Sequence, residues 1–137
     1  MAGKIIADTL ETGAGADIAT SYVVNGSAKA WANINGGGTP SIRNSLNSAS
    51  ITDNATGDFT INFTSSMDDA DYVTENDAEA SSDTNTHHNY NMTVNLYGTK
   101  TNYIISSSYR LKVSGGVSQH GLTDSAQIHT AVHGDLA

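Results

Sequence analysis

Cysteine is absent from this 137-residue chain, which removes disulfide bonds and thiolate metal sites from consideration. Stability must come from packing. Basic residues are scarce: six Lys and Arg against fourteen Asp and Glu leave a formal charge of -8, the wrong sign for a surface that neutralises a phosphate backbone. No nucleic-acid partner is expected. Long apolar runs are missing too: no window approaches the ~20 residues that would span a bilayer, so no membrane insertion is expected. The opening MAGKIIADTLETGAG holds no apolar stretch of signal-peptide length. Hydrophobic residues make up only 37% of the chain, so a lone copy would have a thin core and would gain by burying a face against further copies. Proline occurs once, at Pro40, where it follows three glycines and marks a loop.

What is present reads as β-structure. Thirteen glycines with abundant Ser, Thr and Asn suit a chain of many turns, and the length allows one domain with one modest core. Phe59, Ile61 and Phe63 alternate with Thr60 and Asn62, the period of two that sends one set of side chains inward and the other into water. Ile51-Thr52-Asp53 reaches that run through Asn54-Ala55-Thr56-Gly57, so residues 48 to 64 are expected to form a hairpin with glycine at positive φ. The segment Ile18 to Val24 is β-prone and Asn25-Gly26 is a turn signal, which predicts a further hairpin into the strand of Trp31. In that strand Trp31, Asn33 and Asn35 oppose Ala30, Ala32 and Ile34.

Ile42 to Leu46 follows the glycine turn, and Tyr72-Val73-Thr74 is strand-like. Met92, Val94 and Leu96 alternate with Thr93, Asn95 and Tyr97, as Tyr109, Leu111 and Val113 do with Arg110 and Lys112. Gln127 to His133 makes a last strand, with Ile128, Thr130 and Val132 on one face and His129, Ala131 and His133 on the other. About nine strands separated by turn signals predict an all-β fold, an antiparallel β-sandwich or jelly-roll-like module. A short N-terminal arm over residues 1–17 precedes the sandwich of residues 18–137. Phe59, Ile61 and Phe63, with Trp31, are expected in the core or at a subunit interface.

Lys29-Ala30-Trp31, Asn33-Ile34-Asn35-Gly36, Ile42-Arg43-Asn44-Ser45 and the run Thr52 to Phe63 (TDNATGDFTINF) together resemble a pattern found in tail-fibre-like and other virion surface proteins of tailed bacteriophages, notably marine and cyanobacterial ones. The closing Ala131-Val132-His133-Gly134-Asp135-Leu136-Ala137 is similar to the ending of those modules. The likeness covers roughly residues 20 to 137. It departs at His133, where an apolar aromatic is common, and at Gly37-Gly38, which loosen the first turn. The resemblance implies a non-enzymatic structural protein of the virion surface, made in the host cytoplasm, homotrimeric, and mounted on capsid, portal-proximal or tail proteins. The N-terminal arm would then be the anchor, with Ile5, Ile6 and Leu10 as its apolar contacts. A head fibre, spike or decoration protein and a short tail-fibre knob are both open placements, and no coiled-coil heptads precede the module, which favours a head-mounted or baseplate-attached protein.

Other functions can be weighed against that reading. A tail-fibre knob would bind a host surface glycan or protein through the polar loop Ala80 to Asn89, with Asn85, His87, His88 and Asn89, and the loop Ser114 to Ala126, with Gln119 and His120; the alternative is a carbohydrate-binding module. It predicts exposed aromatics, and Trp31 could serve as a sugar platform. A polysaccharide depolymerase would need paired carboxylates, for which only the acidic stretch Asp68 to Glu79 offers material, and no nucleophile elbow, HExxH or phosphate-binding glycine loop occurs. No catalytic residue and no cofactor is assigned. Ser65 to Asp71 is expected as a polar, acidic connector before Tyr72-Val73-Thr74, and the acidic residues that continue through Glu75, Asp77, Glu79 and Asp83 are expected in a solvated loop, with a calcium site as the sharper alternative. Metal candidates among the histidines are His129, His133, His87 and His88; His129 and His133 share a strand face about 13 Å apart, so an ion would have to gather copies of one histidine about a threefold axis.

Overall fold

The computed structural model describes residues 6–11, 13–78, 104–113 and 122–137. The chain is an all-β antiparallel sandwich. It begins with a small unit of its own: β1 (Thr9–Glu11) pairs with β2 (Asp17–Ala19), and α1 (Thr20–Gly26) follows. Thr20 ties this turn together, donating its hydroxyl to Ala7 O and its amide to Asp8 O, both at 2.9 Å. The strand expected over Ile18 to Val24 is therefore corrected: only its first two residues extend β2. The rest coils because a strand there has no sheet to join, while a local helix closes its own backbone hydrogen bonds. The β1–β2 pairing also carries the N-terminal unit past residue 17.

The first sheet runs β4–β3–β10–β7, from β3 (Ala30–Asn35), β4 (Ser41–Leu46), β7 (Val73–Ala78) and β10 (Ile128–His133). The second runs β5–β6–β9–β8, from β5 (Ser48–Ala55), β6 (Asp58–Phe63), β8 (Ile104–Ile105) and β9 (Ser108–Lys112). Each sheet thus joins early and late segments, and β10 lies between β3 and β7. The change of sheet after β4 takes one residue. Asn47 adopts φ 52°, a left-handed conformation that Asn tolerates, and its amide group brackets Ser65, accepting from the Ser65 N–H at 2.7 Å and donating to its carbonyl at 3.0 Å.

The expected hairpin is present as β5–β6, and Gly57 in its turn has φ 62°. Space as well as φ dictates glycine here. A Cβ on Gly57 would stand 2.6 Å from both Val113 O and Thr123 N, since the turn is pressed against the end of β9 and the segment beyond it. The Gly57 amide donates to Asp124 Oδ1 at 2.7 Å and its carbonyl accepts from Val113 N at 2.7 Å.

Between the sheets lie Ala30, Ala32, Ile34, Ile128 and Val132 from the first and Phe59, Ile61, Phe63, Ile104, Tyr109 and Leu111 from the second. Met67 and Tyr72 close one end. Trp31 is not in this core; it lies half-buried on the outer face of β3. The alternation in β3 explains the correction: the inward positions are two alanines and an isoleucine, and the opposing sheet supplies Phe59, Phe63 and Tyr109 to fill the space they leave. A tryptophan directed inward would have no room. A second correction concerns the acidic stretch: Glu75 and Asp77 lie in β7, paired with Ala131 and His129 of β10, and are not part of a loop. The C-terminal residues cap the sandwich, with Met67 bridged to Leu136 and Gly134 packed against Tyr72.

Candidate functional site

Register places the outward side chains of the first sheet in rows. Leu46, Trp31, Ala131 and Glu75 form one row across β4, β3, β10 and β7, and Asn44, Asn33, His129 and Asp77 form the next. His133 and Val73 continue the face beyond the first row. Arg43 occupies the bulge in β4 and reaches back over β3, donating to Ile34 O at 3.0 Å and to Asn33 Oδ1 at 3.4 Å. The guanidinium is thereby held beside the amide row.

Ala131 is the low point of this face. Its methyl group leaves a shallow groove of about 390 Å³ lined by Glu75, Asn76, Asp77, His129, Thr130 and Ala131. Trp31 stands next to Ala131 on the other flank, in register with it. Glu75, Asp77 and His129 are exposed, and the structure gives their side chains no hydrogen-bonding or ionic partner among the described residues. Asn76 Oδ1 is a buried acceptor without a hydrogen bond among the described residues. The groove offers two carboxylates, an imidazole and one amide around an open floor, and Trp31 is not among its lining residues.

The outer face of the second sheet is built differently. Asp58 is buried on β6, with Arg110 donating through Nε at 2.5 Å and Nη2 at 2.6 Å, and Lys112 Nζ 3.2 Å away. The Arg110 hydrogen bond, reinforced by Lys112 and opposed by burial, holds the Asp58 carboxyl below the ordinary carboxylate range. Beside it Asn62 donates to Ser50 and Thr52 hydroxyls, and Asn54 donates to Thr60. These polar groups satisfy one another, which fits a structural role.

The anchoring candidates Ile6 and Leu10 are exposed, Ile6 at 82%. They are joined by Ile18, Tyr22, Val23 and Val24, which the sequence pattern had placed in a strand; no residue of α1 is buried. Phe59, Ile61 and Phe63 point into the core. His129 and His133 do lie on one face of β10, and among the described residues no three carboxylate or imidazole groups converge as a metal site. Ile5, Asn85, His87, His88, Asn89, Gln119 and His120 lie outside the described residues, as does the strand expected over Met92 to Tyr97.

From the sequence Asn33 and Asn44 stood out only as part of the virion-like pattern, and Glu75 and Asp77 only within an acidic stretch. Each is an ordinary outward strand residue, and only the pairing of four distant segments brings them beside Trp31. No protein-family model, curated protein or solved structure matches the chain.

Proposed function

We propose that the chain is a non-enzymatic structural protein of a tailed-bacteriophage particle surface, mounted through its N-terminal unit with the sandwich displayed outward as a homotrimer. The observation that supports this reading is the contrast between the two parts of the chain. The sandwich closes on its own core, whereas the unit before it exposes Ile6, Leu10, Ile18, Tyr22, Val23 and Val24. A seven-residue helix that buries nothing is marginal by itself, and apolar side chains gathered on so small an element call for a surface to cover them. Capsid, portal-proximal or tail proteins are the partners in this reading, and the virion is the location.

The test is incorporation of tagged protein into tailed-phage particles that lack it. The double variant Tyr22→Ser, Val24→Ser should leave the circular dichroism of the sandwich unchanged and fail to enter particles. Incorporation at the parental level would sink the anchoring role of this unit.

A further inference from the structure

The dipeptide Asn-Gly occurs twice, at Asn25-Gly26 and Asn35-Gly36, and we infer that Asn25 is a site of spontaneous deamidation through a cyclic imide, while the fold protects Asn35. This modification goes beyond the structural role proposed above and does not depend on it.

In the reaction the backbone nitrogen of the following residue, having lost its proton to hydroxide or another base in solution, attacks the Asn side-chain carbon Cγ. The N–Cγ bond forms, the Cγ–Nδ2 bond breaks, and Nδ2 takes up a proton and leaves as ammonia. Water then opens the imide at either carbonyl, giving aspartate or isoaspartate. Water enters and ammonia leaves, with no change of oxidation state. Glycine in the second position removes the side chain that would hinder the attack and lets the backbone turn freely. The attack is still blocked where a hydrogen bond holds the nucleophilic nitrogen, where the side-chain amide is engaged, or where packing stops the backbone from turning.

Each of these blocks acts at Asn35. The Gly36 amide donates to Ser125 O at 2.8 Å. Asn35 Nδ2 donates to Gly37 O at 3.2 Å, and its Oδ1 accepts from the Gly37 amide at 3.3 Å. A Cβ on Gly36 would stand 2.8 Å from Ser125 O, 2.9 Å from Ile128 Cδ1 and 3.0 Å from Phe59 Cζ, so this peptide is wedged against the core.

Only the helical backbone restrains Asn25. Asn25 and Gly26 are both exposed, and the Asn25 side chain has no hydrogen-bond partner among the described residues. Nothing stands within 4 Å of where a Cβ on Gly26 would be. The pair forms the end of α1, a helix of seven residues with no side-chain N-cap and no buried residue. Helical dihedrals keep the Gly26 nitrogen away from Cγ, but a helix so short and so exposed opens readily at its end. The product sets a new carboxylate one turn from Tyr22, on the element whose apolar side chains are exposed.

The full-length protein is aged in mildly alkaline buffer, both folded and in urea, and then digested with trypsin. Lys29 lies between the two sites, so each falls in its own peptide. Mass spectrometry follows deamidation at each, and labelling by isoaspartyl methyltransferase identifies the isoaspartate product. In the folded protein Asn25 should react at least about tenfold faster than Asn35, and in urea, where Asn35 loses its shield, the ratio should fall to within about threefold. Gly26→Ala, for which the structure has room, should slow the reaction at Asn25 at least about tenfold. An intact Asn25, comparable rates at the two sites in the folded protein, or a ratio unchanged in urea would overturn the inference.

Discussion

Tyr109 on β9 donates its phenolic hydrogen to Thr130 Oγ1 on β10 at 2.8 Å, a polar bond that crosses the apolar interface between the two sheets. Both residues are buried, at 2% and 5% exposure. The Tyr109 ring also packs on Phe63 with centroids 5.5 Å apart, and Phe63 meets Tyr72 edge-on at 5.6 Å. A small aromatic cluster thus joins β6, β9 and Tyr72 within the core, and one hydroxyl pair links the two sheets across it.

Tyr109→Phe should destabilise the protein by about 1–3 kcal/mol, because it leaves the buried Thr130 hydroxyl without this partner. Adding Thr130→Val should recover part of that loss, since both polar groups are then removed. A double-mutant cycle from urea unfolding measures the coupling; strictly additive effects would mean that the bond contributes nothing.

Alkaline pH should unfold the protein. Burial is the main cause that pushes the Tyr72 and Tyr109 phenols well above their ordinary range, and Tyr72 also gives its hydrogen to Ser108 O at 2.8 Å and Ile105 O at 3.0 Å. The folded state therefore holds these protons more tightly than the unfolded chain. Their contribution is fully present below pH ~10, where unfolded tyrosine titrates, and falls as pH rises beyond it. Thermal midpoints measured from pH 8 to 11 should drop above pH 10, and Tyr72→Phe should soften that drop.

Asp58 works in the opposite direction. Its folded-state ionisation is depressed, chiefly by Arg110, so its stabilisation is present above the unfolded carboxylate range and is lost as pH falls below about 4. Asp58→Asn should cost about 1–2 kcal/mol at neutral pH, a modest figure because Arg110 and Lys112 remain partly in water. The variant should also show a flatter acid limb between pH 5 and 3 in the same thermal series. Parental and variant curves of equal slope would contradict the assignment.

Gly57→Ala should destabilise by more than about 1 kcal/mol, because the new methyl group meets three backbone atoms at a positive φ. Gly38 has a similar φ of 69° but open space where a Cβ would stand, so Gly38→Ala carries only the conformational part of the cost. Comparing the two variants by chemical denaturation isolates the steric share; equal losses would remove it.

Much of the sandwich was legible in the chain because its strands carry local signals. Phe59-Thr60-Ile61-Asn62-Phe63 alternates cleanly, Gly57 marks a turn that needs left-handed φ, and the faces of Ile128 to His133 separate by simple parity. The same parity was available at Ala30 to Asn35, yet a large aromatic is easily taken for core. The alanines opposite it were the inward set. At Thr20 to Gly26 the β-prone Val23 and Val24 misled for another reason: propensity acts only where a neighbouring strand is present to pair with.

The sequence by itself determined the class of fold, the hairpin over residues 48 to 64, the lack of any disulfide and the acidic balance, since each depends on composition or on residues within one turn of each other. Only the tertiary structure decided which segments became neighbours. It set β10 between β3 and β7, and so brought Trp31, Ala131 and Glu75 into one row from three parts of the chain. Strand alternation says which residues share a face of one strand; which strands stand side by side is settled by packing two sheets around a common core, where alanines of one must meet aromatics of the other.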